Sequence, residues 1–590
     1  MEDLRMTDNS RLTRTSVSNV LVIGSGAAAG LRASIAAHEA GSEVVVVGTR
    51  PRKDAHTVLA AGGINAALGT RDPEDSWQQH FADTLKEGYN LSDPRVVEIM
   101  AREAPRAVEE LAGWGAPFAR TPSGDLDQRF FGAHKYRRTC YAGDYTGRAM
   151  LFALVDKVES LGIPIHEGQY VSKLLVHDGR CFGAYAFDIH SGERTVYLAD
   201  AVVLATGGHT RLWRVSSSRR DENTGSGMHL ALEAGCRLSD MELVQFHPTG
   251  MVYPEEWVGT LATEAIRGEG GRLYNGSGER YMERYDPERM ELSTRDRIAL
   301  ANYTEIAEGR GSEHGGVYLD ISHRPKKYIL EKLPRMYRQF LEATMLDISK
   351  GPMEVAPTAH YTMGGIVVEP ETHATGVEGL YAAGETTSGL HGANRLGGNS
   401  LSETMVFGRR AGEAAARFSG EVDAQLRDRA AIREVAEEVD SYIKEGEEFA
   451  RPLQRALRNT MQETCGVVRS EEGLNEGLRR LAQIREASED VDVRPTSEGF
   501  NDLAYALDLR GSLVVAEATI LGAIERRETR GAHNRSDYPE LDPDMKVNFV
   551  VEKGGDGLVV TEEPVHTVPE YLEEWAKADE EYGVTGRLVE

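Results

Sequence analysis

The chain has 590 residues, a formal net charge of -27 and 40% hydrophobic residues, and this length suits about two to four domains with large cores. The acidic balance argues against binding to nucleic acid, because phosphates need a basic surface. It also argues against unassisted docking on an anionic lipid surface.

The four cysteines, Cys140, Cys181, Cys236 and Cys465, are scattered without C-x-x-C spacing. We therefore expect no iron–sulfur, zinc or other metal site within this chain. The first 18 residues are polar and contain acids, which predicts neither a secretory signal nor a transit peptide. No run of 18 apolar residues occurs, so no membrane-spanning helix is predicted.

A strand–turn–helix–strand unit follows at residue 19, where the sequence reads NVLVIGSGAAAGLRASIAAHEAGSEVVVVG. Its apolar strands, glycine turn and helix predict a βαβ unit. Two more apolar strands, each followed by small residues, lie at 199–208 and 379–385. Their shared chemistry predicts three strands of one discontinuous nucleotide-binding domain.

The glycine turn carries a nucleotide fingerprint. The pattern G-x-G-x-x-A comprises Gly24, Ser25, Gly26, Ala27, Ala28 and Ala29. Gly24 permits the tight turn, Gly26 lets the backbone approach a pyrophosphate, and Ala29 keeps the helix close to the strand. The helix N-terminus would face the phosphates. This context predicts dinucleotide binding, and the alternative is a packing turn that holds no ligand.

The end of the second strand departs from the usual fingerprint. It reads Gly48-Thr49-Arg50 and offers no Asp or Glu to bind a ribose hydroxyl, as a NAD site normally does. The departure disfavours NAD and leaves FAD with a different adenosine contact.

The fold class that this pattern predicts is α/β. A discontinuous Rossmann-like FAD-binding domain would carry an inserted α+β capping domain, followed by a helical domain and a C-terminal tail. The predicted bounds are 1–18 for a disordered or extended N-terminus, 19–241 and 358–421 for the FAD-binding domain, 242–357 for the capping domain, 422–531 for the helical domain and 532–590 for the C-terminal region.

Motifs along the chain are similar to those of one flavoprotein family. In order they read GSGAAAG, DAHTVLAAGGINAALG, QFHPTG, TEAIRGEGG, STRDRIA, PTAHYTMGG, GLYAAGE, HGANRLGGNSL, LRNTMQETCGVVR and RRETRGAHNRSDYPELD. This order resembles the flavoprotein subunits of succinate dehydrogenase and fumarate reductase. The resemblance covers residues 19–543 and is specific, because HGANRLGGNSL alone is hard to reach by chance.

His56 lies in the loop KDAHTVLAAGGINAALG and, taken alone, is an ordinary loop histidine. In the family that the chain resembles, this histidine carries FAD covalently, so the resemblance implies a covalent bond at His56. The bond would hold the isoalloxazine ring and raise its reduction potential. L-aspartate oxidases resemble the chain in LDISHRP and RRTCYAGDYTGRAM but normally lack this histidine, and they are the alternative function.

The resemblance also implies a dicarboxylate site for succinate or fumarate. Two carboxylates need cationic or hydrogen-bonding groups at opposite ends of the site. The family's substrate-binding residues correspond to His247, Thr263, His360 and Arg395. Taken singly, these residues could instead be a turn cap, a helix cap, a core histidine and a structural arginine.

The family's proton-transfer residue corresponds to Arg295 in STRDRIA, with Glu264 and Arg267 as its relay to solvent. A guanidinium is normally always protonated, so this role requires transient proton exchange inside a dry, charged site. Close to the substrate, Arg295 would also stabilise developing negative charge. The alternative is a structural Arg295–Asp296 surface segment.

The remaining FAD contacts are implied in the same way. One position departs from the family, because Ser226 in TGSG stands where an aspartate is usual and cannot supply charge. Glu385 would accept hydrogen bonds from a ribityl or ribose hydroxyl. The full set of implied contacts outside the fingerprint is Thr57, Gly62, Gly63, Thr206, Gly207, Ser226, Glu385, Ser400 and Leu401.

The sequence thus predicts the flavoprotein subunit of a succinate:quinone oxidoreductase. Because this chain has no cluster ligands, electrons would pass to an iron–sulfur subunit held by membrane anchor subunits. The chain would then be peripheral, at the cytoplasmic face of the cell membrane, with the capping domain closing over the substrate. A second alternative is a non-catalytic protein that carries FAD as an electron relay.

Overall fold

The computed structural model describes residues 13–424, 426–495, 499–555 and 557–580, and these contain both helices and strands. The helices of this part are α1 Ala28–Glu39, α2 Trp77–Glu87, α3 Pro94–Gly113, α4 Thr146–Ser160, α5 Ser226–Glu233, α6 Glu264–Gly268, α7 Met282–Tyr285, α8 Arg295–Ala307, α9 Lys326–Lys332, α10 Pro334–Thr344, α11 Asn399–Glu421, α12 Arg429–Ser441, α13 Ala450–Thr464, α14 Glu471–Ser488, α15 Asn501–Glu525 and α16 Glu573–Glu580. The strands are β1 Thr13–Ile23, β2 Val44–Val47, β3 Ile64–Asn65, β4 Gln128–Arg129, β5 Thr139–Cys140, β6 Ile165–His166, β7 Gln169–His177, β8 Arg180–Asp188, β9 Arg194–Leu204, β10 Leu238–Ser239, β11 Val244–Met251, β12 Arg272–Tyr274, β13 Val317–Asp320, β14 Met353–Thr362, β15 Gly365–Ile366, β16 Leu380–Ala382, β17 Val468–Arg469, β18 Asn534–Arg535, β19 Val547–Gly554 and β20 Gly557–Pro564. No helix in these ranges combines the length and the apolar composition needed to cross a membrane.

Strand β9 lies at the centre of a seven-stranded sheet, in which six strands have the order β6-β2-β1-β9-β8-β7 and the seventh, β16, also pairs with β9. All residues of β9 are buried. Its first half pairs antiparallel with β8, and its last residues pair in parallel with β16. Strand β1 runs parallel to β9 along almost its whole length. The three sequence-distant strands predicted to share one sheet do so.

Strand β1 starts earlier than the sequence pattern suggested. Residues 13–18 pair with 194–199 of β9 and continue the strand in front of Asn19. The apolar pattern begins only at Val20 because residues 13–17 are exposed or partly exposed, so their side chains need not be apolar. Residues 13–18 are therefore extended, and residues 1–12 lie outside the described part of the chain.

Helix α1 is held on the sheet by close contact with α11. A Cβ on Gly408 of α11 would lie 2.6 Å from the backbone oxygen of Ala29, so the two helices pack without intervening side chains. This contact fixes the N-terminus of α1 at the carboxyl end of β1. A nucleotide phosphate would bind at this edge of a parallel sheet.

A second sheet, with the order β11-β14-β13-β12, covers the region predicted as the capping domain. Its own core includes Ile298 of α8, Val317 and Phe340. Strand β14, Met353–Thr362, spans the predicted domain bound at 357, although its pairing with β11 is irregular between His247 and Gly250. The chain therefore leaves the capping sheet along a paired strand and not through a loop.

Beyond α15, β19 and β20 pair with each other as an antiparallel hairpin, and β19 also pairs with β10. A buried ionic cluster lies where this hairpin, α15 and residues 240–242 meet. Arg526 is fully buried and contacts Glu242 at 2.7 Å, Glu528 at 3.2 Å and Asp240 at 3.3 Å. Burial, and then the charge of Glu242, raise the pKa of Asp240 to about 7.

We predict that Arg526→Met lowers the free energy of unfolding by about 3–5 kcal/mol, because it leaves buried carboxylates without a counter-charge. Carboxyls with native pKa values above their unfolded values of about 4 lose stability as pH rises through the raised pKa. The deficit should therefore be largest above pH 7 and shrink toward pH 5. Urea unfolding at about pH 5 and about pH 8 measures it.

The matched control is Arg433→Met, which removes an exposed arginine from α12. It should change the free energy of unfolding by no more than about 0.5 kcal/mol. A deficit for Arg526→Met that is equally small, or equal at both pH values, would contradict the prediction.

Candidate active site

A cavity of about 800 Å³ opens at the carboxyl ends of β1, β9 and β16 and extends under the second sheet. The sequence-predicted site residues that line it are Gly24, Ser25, Gly26, Ala27, Ala28, Ala29, His56, Thr57, Gly62, Gly63, Thr206, Gly207, Ser226, His247, Thr263, Glu264, Arg295, His360, Glu385, Arg395, Ser400 and Leu401. Arg267 is the predicted residue that the cavity wall does not include. Residues separated by more than 370 positions therefore share one cavity.

The fingerprint turn has the geometry that an anion needs. Gly24 has φ +142, and a Cβ there would clash with the backbone oxygen of Ala205. Helix α1 begins after Ala27, whose own side chain does not cap it, and the hydroxyl of Thr57 accepts from the backbone N–H of Ala28 at 3.3 Å. The first turn of α1 lines the cavity, so free N–H groups and the positive end of the helix dipole are available to a pyrophosphate.

The far end of the cavity shows how an adenosine can bind without an acid after β2. Glu167 and Gln169 lie beside β6 and β7, and Asp188 ends β8; all three line this end. Glu167 is held in place by Arg52, whose Nε donates to its carboxylate at 2.7 Å. Sequence patterns did not identify these residues, because they follow strands outside the fingerprint unit.

His56 opens a short 3-10 turn and has a charged neighbour that the sequence did not reveal. Its Nδ1 lies 3.4 Å from Oε2 of Glu222. Arg50 and Arg219 contact the same carboxylate at 3.1 and 3.7 Å. Burial opposes the charged form of His56, but the hydrogen bond and charge of Glu222 outweigh it and raise the histidine pKa. Glu222 therefore fixes a proton on Nδ1.

His247 and His360 face each other across the substrate end, with ring centroids 5.2 Å apart. Burial, followed by the charge of Arg295 for His247 and of Arg395 for His360, holds both pKa values well below the ordinary value. Both imidazoles are therefore neutral near pH 7. The Nδ1 of His247 also accepts from the backbone N–H of Thr249 at 3.2 Å, so His247 caps a turn as well.

Two buried arginines share one amide oxygen at the substrate end. Arg295 and Arg395 each donate to Oε1 of Gln245 at 3.1 Å. The Nε2 of Gln245 donates to Asn394 at 2.8 Å, which fixes the amide orientation. Gln245 was not predicted, although its two-residue spacing from His247 on a strand could have identified it.

Arg395 is only partly satisfied by the protein. Its guanidinium stacks 4.2 Å over the ring of Tyr361 and donates to Ser400, yet Nε has no hydrogen-bond partner among the described residues. Burial and the charge of Arg295 lower its pKa to about 10. A buried cation with an open donor is suited to bind a carboxylate.

Thr263 has an open hydroxyl as well. It precedes α6 but does not cap it, and its Oγ1 is buried without a partner in the described part of the chain. A helix-capping role therefore does not account for this side chain. The hydroxyl lies in the cavity wall next to Glu264, where it is available to a substrate oxygen.

Glu264 lies close to both Arg295 and Arg267. Arg295 donates to it through Nε at 2.8 Å, and Nη2 of Arg267 lies 3.9 Å from the same oxygen. Burial raises the pKa of this carboxyl, but Arg295 and Arg267 more than compensate, so its net pKa is lowered and it is ionised. Arg267 is buried behind Glu264 and donates to the backbone oxygen of Glu291.

The N-terminus of a second helix, α11, lies at the middle of the cavity. Helix α11 begins after Gly398 without a side-chain cap, and Ser400 and Leu401 lie in its first turn. Glu385 accepts from the backbone N–H of Thr362 at 3.1 Å, and burial raises its pKa to about 7. A negatively charged flavin ring would be stabilised at this helix end.

The two glycines of the His56 loop, Gly62 and Gly63, are required by contacts within the protein. A Cβ on Gly62 would lie 2.8 Å from the ring of Phe131, and Gly63 has φ +150 and packs against Thr139. Contacts within the protein therefore already demand glycine at both positions. The loop still lines the cavity and remains available to a flavin.

Comparison with known proteins agrees with this geometry. A model of an FAD binding domain matches residues 19–401, and a model of the fumarate reductase flavoprotein C-term matches residues 454–578. The A subunit of the fumarate reductase (CoM/CoB) of Methanothermobacter marburgensis is 44% identical, with 91% of this chain and 97% of the relative covered. The succinate dehydrogenase flavoprotein subunit of Rickettsia bellii is 37% identical, with 88% and 90% covered.

A solved structure of an E. coli quinol fumarate reductase FrdA variant has a TM-score of 0.88 and 36% identity, covering 94% of this chain and 98% of that one. The predicted α/β fold class and the family resemblance are confirmed, and the cofactor of the cavity is FAD. The chain therefore belongs to the family of fumarate reductase and succinate dehydrogenase flavoprotein subunits, which are FAD-dependent oxidoreductases.

Proposed function

We propose that this chain interconverts succinate and fumarate as the flavoprotein subunit of a succinate:quinone oxidoreductase, with FAD bound covalently through His56. The observation that carries the proposal is the substrate end of the cavity. Two neutral histidines, an open threonine hydroxyl and a half-satisfied arginine surround one space there. These groups match a small dianion with a carboxylate at each end.

The substrate carboxylates would be bound by side chains whose orientations the protein already holds. Arg395 would bind one carboxylate through its open Nε, supported by His360, whose Nδ1 is hydrogen-bonded to Ser217 at 2.9 Å. His247 and Thr263 would bind the other carboxylate. Because both histidines are neutral, the charge that attracts the dianion comes from the arginines.

Proton transfer is assigned to Arg295, with Glu264 and Arg267 as its relay. When bound, FAD supplies the site that accepts or delivers the hydride. Arg295 holds its proton in a buried position, and the ionised Glu264 lies 2.7 Å away to exchange it. Arg267 stabilises that carboxylate from the protein side. Gln245 keeps the guanidinium of Arg295 in one orientation toward the substrate.

The second sheet and its helices would exclude water from this reaction. Met336 and Gln339 of α10, together with Leu261, line the cavity opposite the FAD-binding sheet. Gln339 is fixed by donating to the backbone oxygen of Leu261 at 3.0 Å. A dry site strengthens the charges that act on the transition state.

Electrons would leave for an iron–sulfur subunit, since the described residues contain no group of three or more metal-ligating side chains. Membrane anchor subunits would hold that partner, so the chain would sit peripherally at the cytoplasmic face of the cell membrane. An L-aspartate oxidase is less favoured, because the relatives reported above are fumarate reductase and succinate dehydrogenase subunits.

The purified chain with FAD should reduce an artificial dye with succinate, and malonate should inhibit competitively, because it presents two carboxylates and cannot be oxidised. The same assay with L-aspartate should give no turnover. Turnover with aspartate in place of succinate would overturn the proposal. Complete lack of dicarboxylate turnover would favour a non-catalytic FAD carrier.

Arg295→Lys should lower succinate–dye turnover at least about a hundredfold, which is the loss expected when a positioned proton donor is removed. The lysine keeps the charge but cannot contact Gln245 and Glu264 together. The flavin absorbance should stay at the wild-type level. Retained turnover would exclude Arg295 from proton transfer.

His56→Ser should leave FAD bound but release all of it on acid precipitation, whereas wild-type flavin stays with the protein. Glu222→Gln should retain FAD and slow its covalent attachment, because the amide no longer holds the proton on Nδ1 and leaves the other nitrogen less nucleophilic. Mass spectrometry of the denatured chains measures both effects. Wild-type chain without the mass of FAD would contradict the covalent assignment.

A further inference from the structure

One wall of the cofactor cavity comes from a helix far from the fingerprint. Asn501, Ala504, Tyr505 and Asp508 of α15 line the cavity. Their spacing of three and four residues places them on one face of the helix. This helix lies beyond residues 19–401, which the model of an FAD binding domain matches. A part of the chain outside that domain therefore contributes to the cavity.

Asp508 lies where an adenosine can bind. Its Oδ1 accepts from the hydroxyl of Tyr170 at 2.9 Å and, more weakly, from that of Thr224 at 3.5 Å. Tyr170 directly follows Gln169, which lines the adenosine end, so Asp508 lies at this end too. Both donors use the same oxygen. Oδ2 has no hydrogen-bond partner among the described residues.

The carboxylate of Asp508 is also not neutralised by a cation. The side chain is largely buried, and no ion pair to it forms within the described part of the chain. Burial, opposed chiefly by the hydrogen bond from Tyr170, raises its pKa to about 6, so the group is ionised near pH 7. A desolvated charge with an open oxygen costs free energy, and a hydrogen-bond donor on a ligand would offset that cost.

The other acids around this end are already engaged by the protein. Glu167 and Asp221 each pair with an arginine, at 2.7 and 2.9 Å. Asp188 accepts from backbone N–H groups of the turn that follows β8. Asp508 differs from these three acids because it has neither an arginine partner nor a turn to hold, and this difference suits it to a ligand.

Two contacts hold α15 against this end of the cavity. The backbone N–H of Phe500, which precedes α15, donates to the backbone oxygen of Ile189 at 2.7 Å. The hydroxyl of Ser512 donates to the backbone oxygen of Thr224 at 3.1 Å. Ile189 and Thr224 both line the cavity. The carboxylate between these contacts is therefore held in one place, which lowers the entropy cost of binding a ligand there.

We propose that Asp508 accepts a hydrogen bond from the adenosine of FAD through Oδ2, in place of the acid that is absent after β2. Adenosine offers two kinds of donor, the ribose hydroxyls and the exocyclic amine, and a carboxylate oxygen accepts from either. FAD would then bridge α15 and the seven-stranded sheet. This inference goes beyond the proposed reaction, since it concerns how the cofactor is held.

The test measures flavin binding by the full-length chain. His56→Ser is the background, because it keeps the flavin exchangeable whether or not the wild-type chain bonds it covalently. After removal of the flavin, fluorescence titration gives dissociation constants for FAD and for FMN, which lacks the adenosine. Asp508→Asn should raise the dissociation constant for FAD about tenfold, because a hydrogen bond to a charged acceptor is lost. The constant for FMN should stay within about twofold.

The matched control is Asp502→Asn, which removes an exposed acid of α15 that does not line the cavity. It should leave both constants within about twofold. The thermal midpoint of the flavin-free Asp508→Asn chain should equal or exceed that of its background, because the amide removes the cost of the desolvated charge. Weaker FAD binding would then not reflect a folding defect.

FAD that carries hypoxanthine in place of adenine identifies the donor. If Asp508→Asn no longer weakens binding of this analogue, the donor is the exocyclic amine, and if the tenfold effect persists, it is a ribose hydroxyl. A rise in the FAD constant that is no larger than the rise for FMN, or no rise at all, would overturn the proposal. Neither titration uses succinate, so failure of the proposed reaction would be seen separately.

Discussion

The pairing of β9 with three different partners determines where the site forms. Its first half pairs with β8, while its last residues exchange that neighbour for β16 and keep β1 on the other side. Three segments that are far apart in sequence therefore end at one edge. Gly24 follows β1 directly, and Thr206 and Glu385 lie two and three residues beyond β9 and β16, so strand pairing brings these residues of the cavity wall together. A change that displaced β9 would separate all of them.

Positive charge in the buried part of the cavity is the second determinant. Arg295, Arg395 and Arg267 lie near one ionised carboxylate, Glu264. Burial, together with these charges, lowers the pKa of both histidines and keeps them neutral, so the site attracts anions through its arginines and uses imidazole for hydrogen bonds. An anionic ligand would offset this positive charge and accept from the open Nε donor of Arg395.

Much of this site could be predicted from the sequence, because motif order identified the residues of the cavity wall. Short local sequence motifs identified the fingerprint, His56, His247, His360 and Arg395. Groups that depend on long-range packing were missed. Glu222 contacts His56 from a distance of 166 positions, and Gln245 contacts Arg395 across 150.

The start of β1 was missed for a similar reason. The first residues of β1 are exposed, so they carry no apolar pattern, and only their pairing with β9 makes them a strand. Hydrogen bonding between backbones, which is indifferent to side-chain type, decides where this strand starts. The domain bound at 357 stays a prediction, and β14 runs through that position.

The pairing of β11 with β14 has a mechanical consequence for the second sheet, which lies above the cavity. Both chain crossings between the two sheets lie in or next to one two-stranded ribbon, whose register shifts between Gln245 and Phe246 and between His247 and Gly250. Any rotation of that sheet must bend the ribbon itself. His247 lies on one strand of the ribbon and His360 on the other. Tilting of the second sheet would therefore change the distance between the two imidazoles, and with it the affinity of the site for a dicarboxylate.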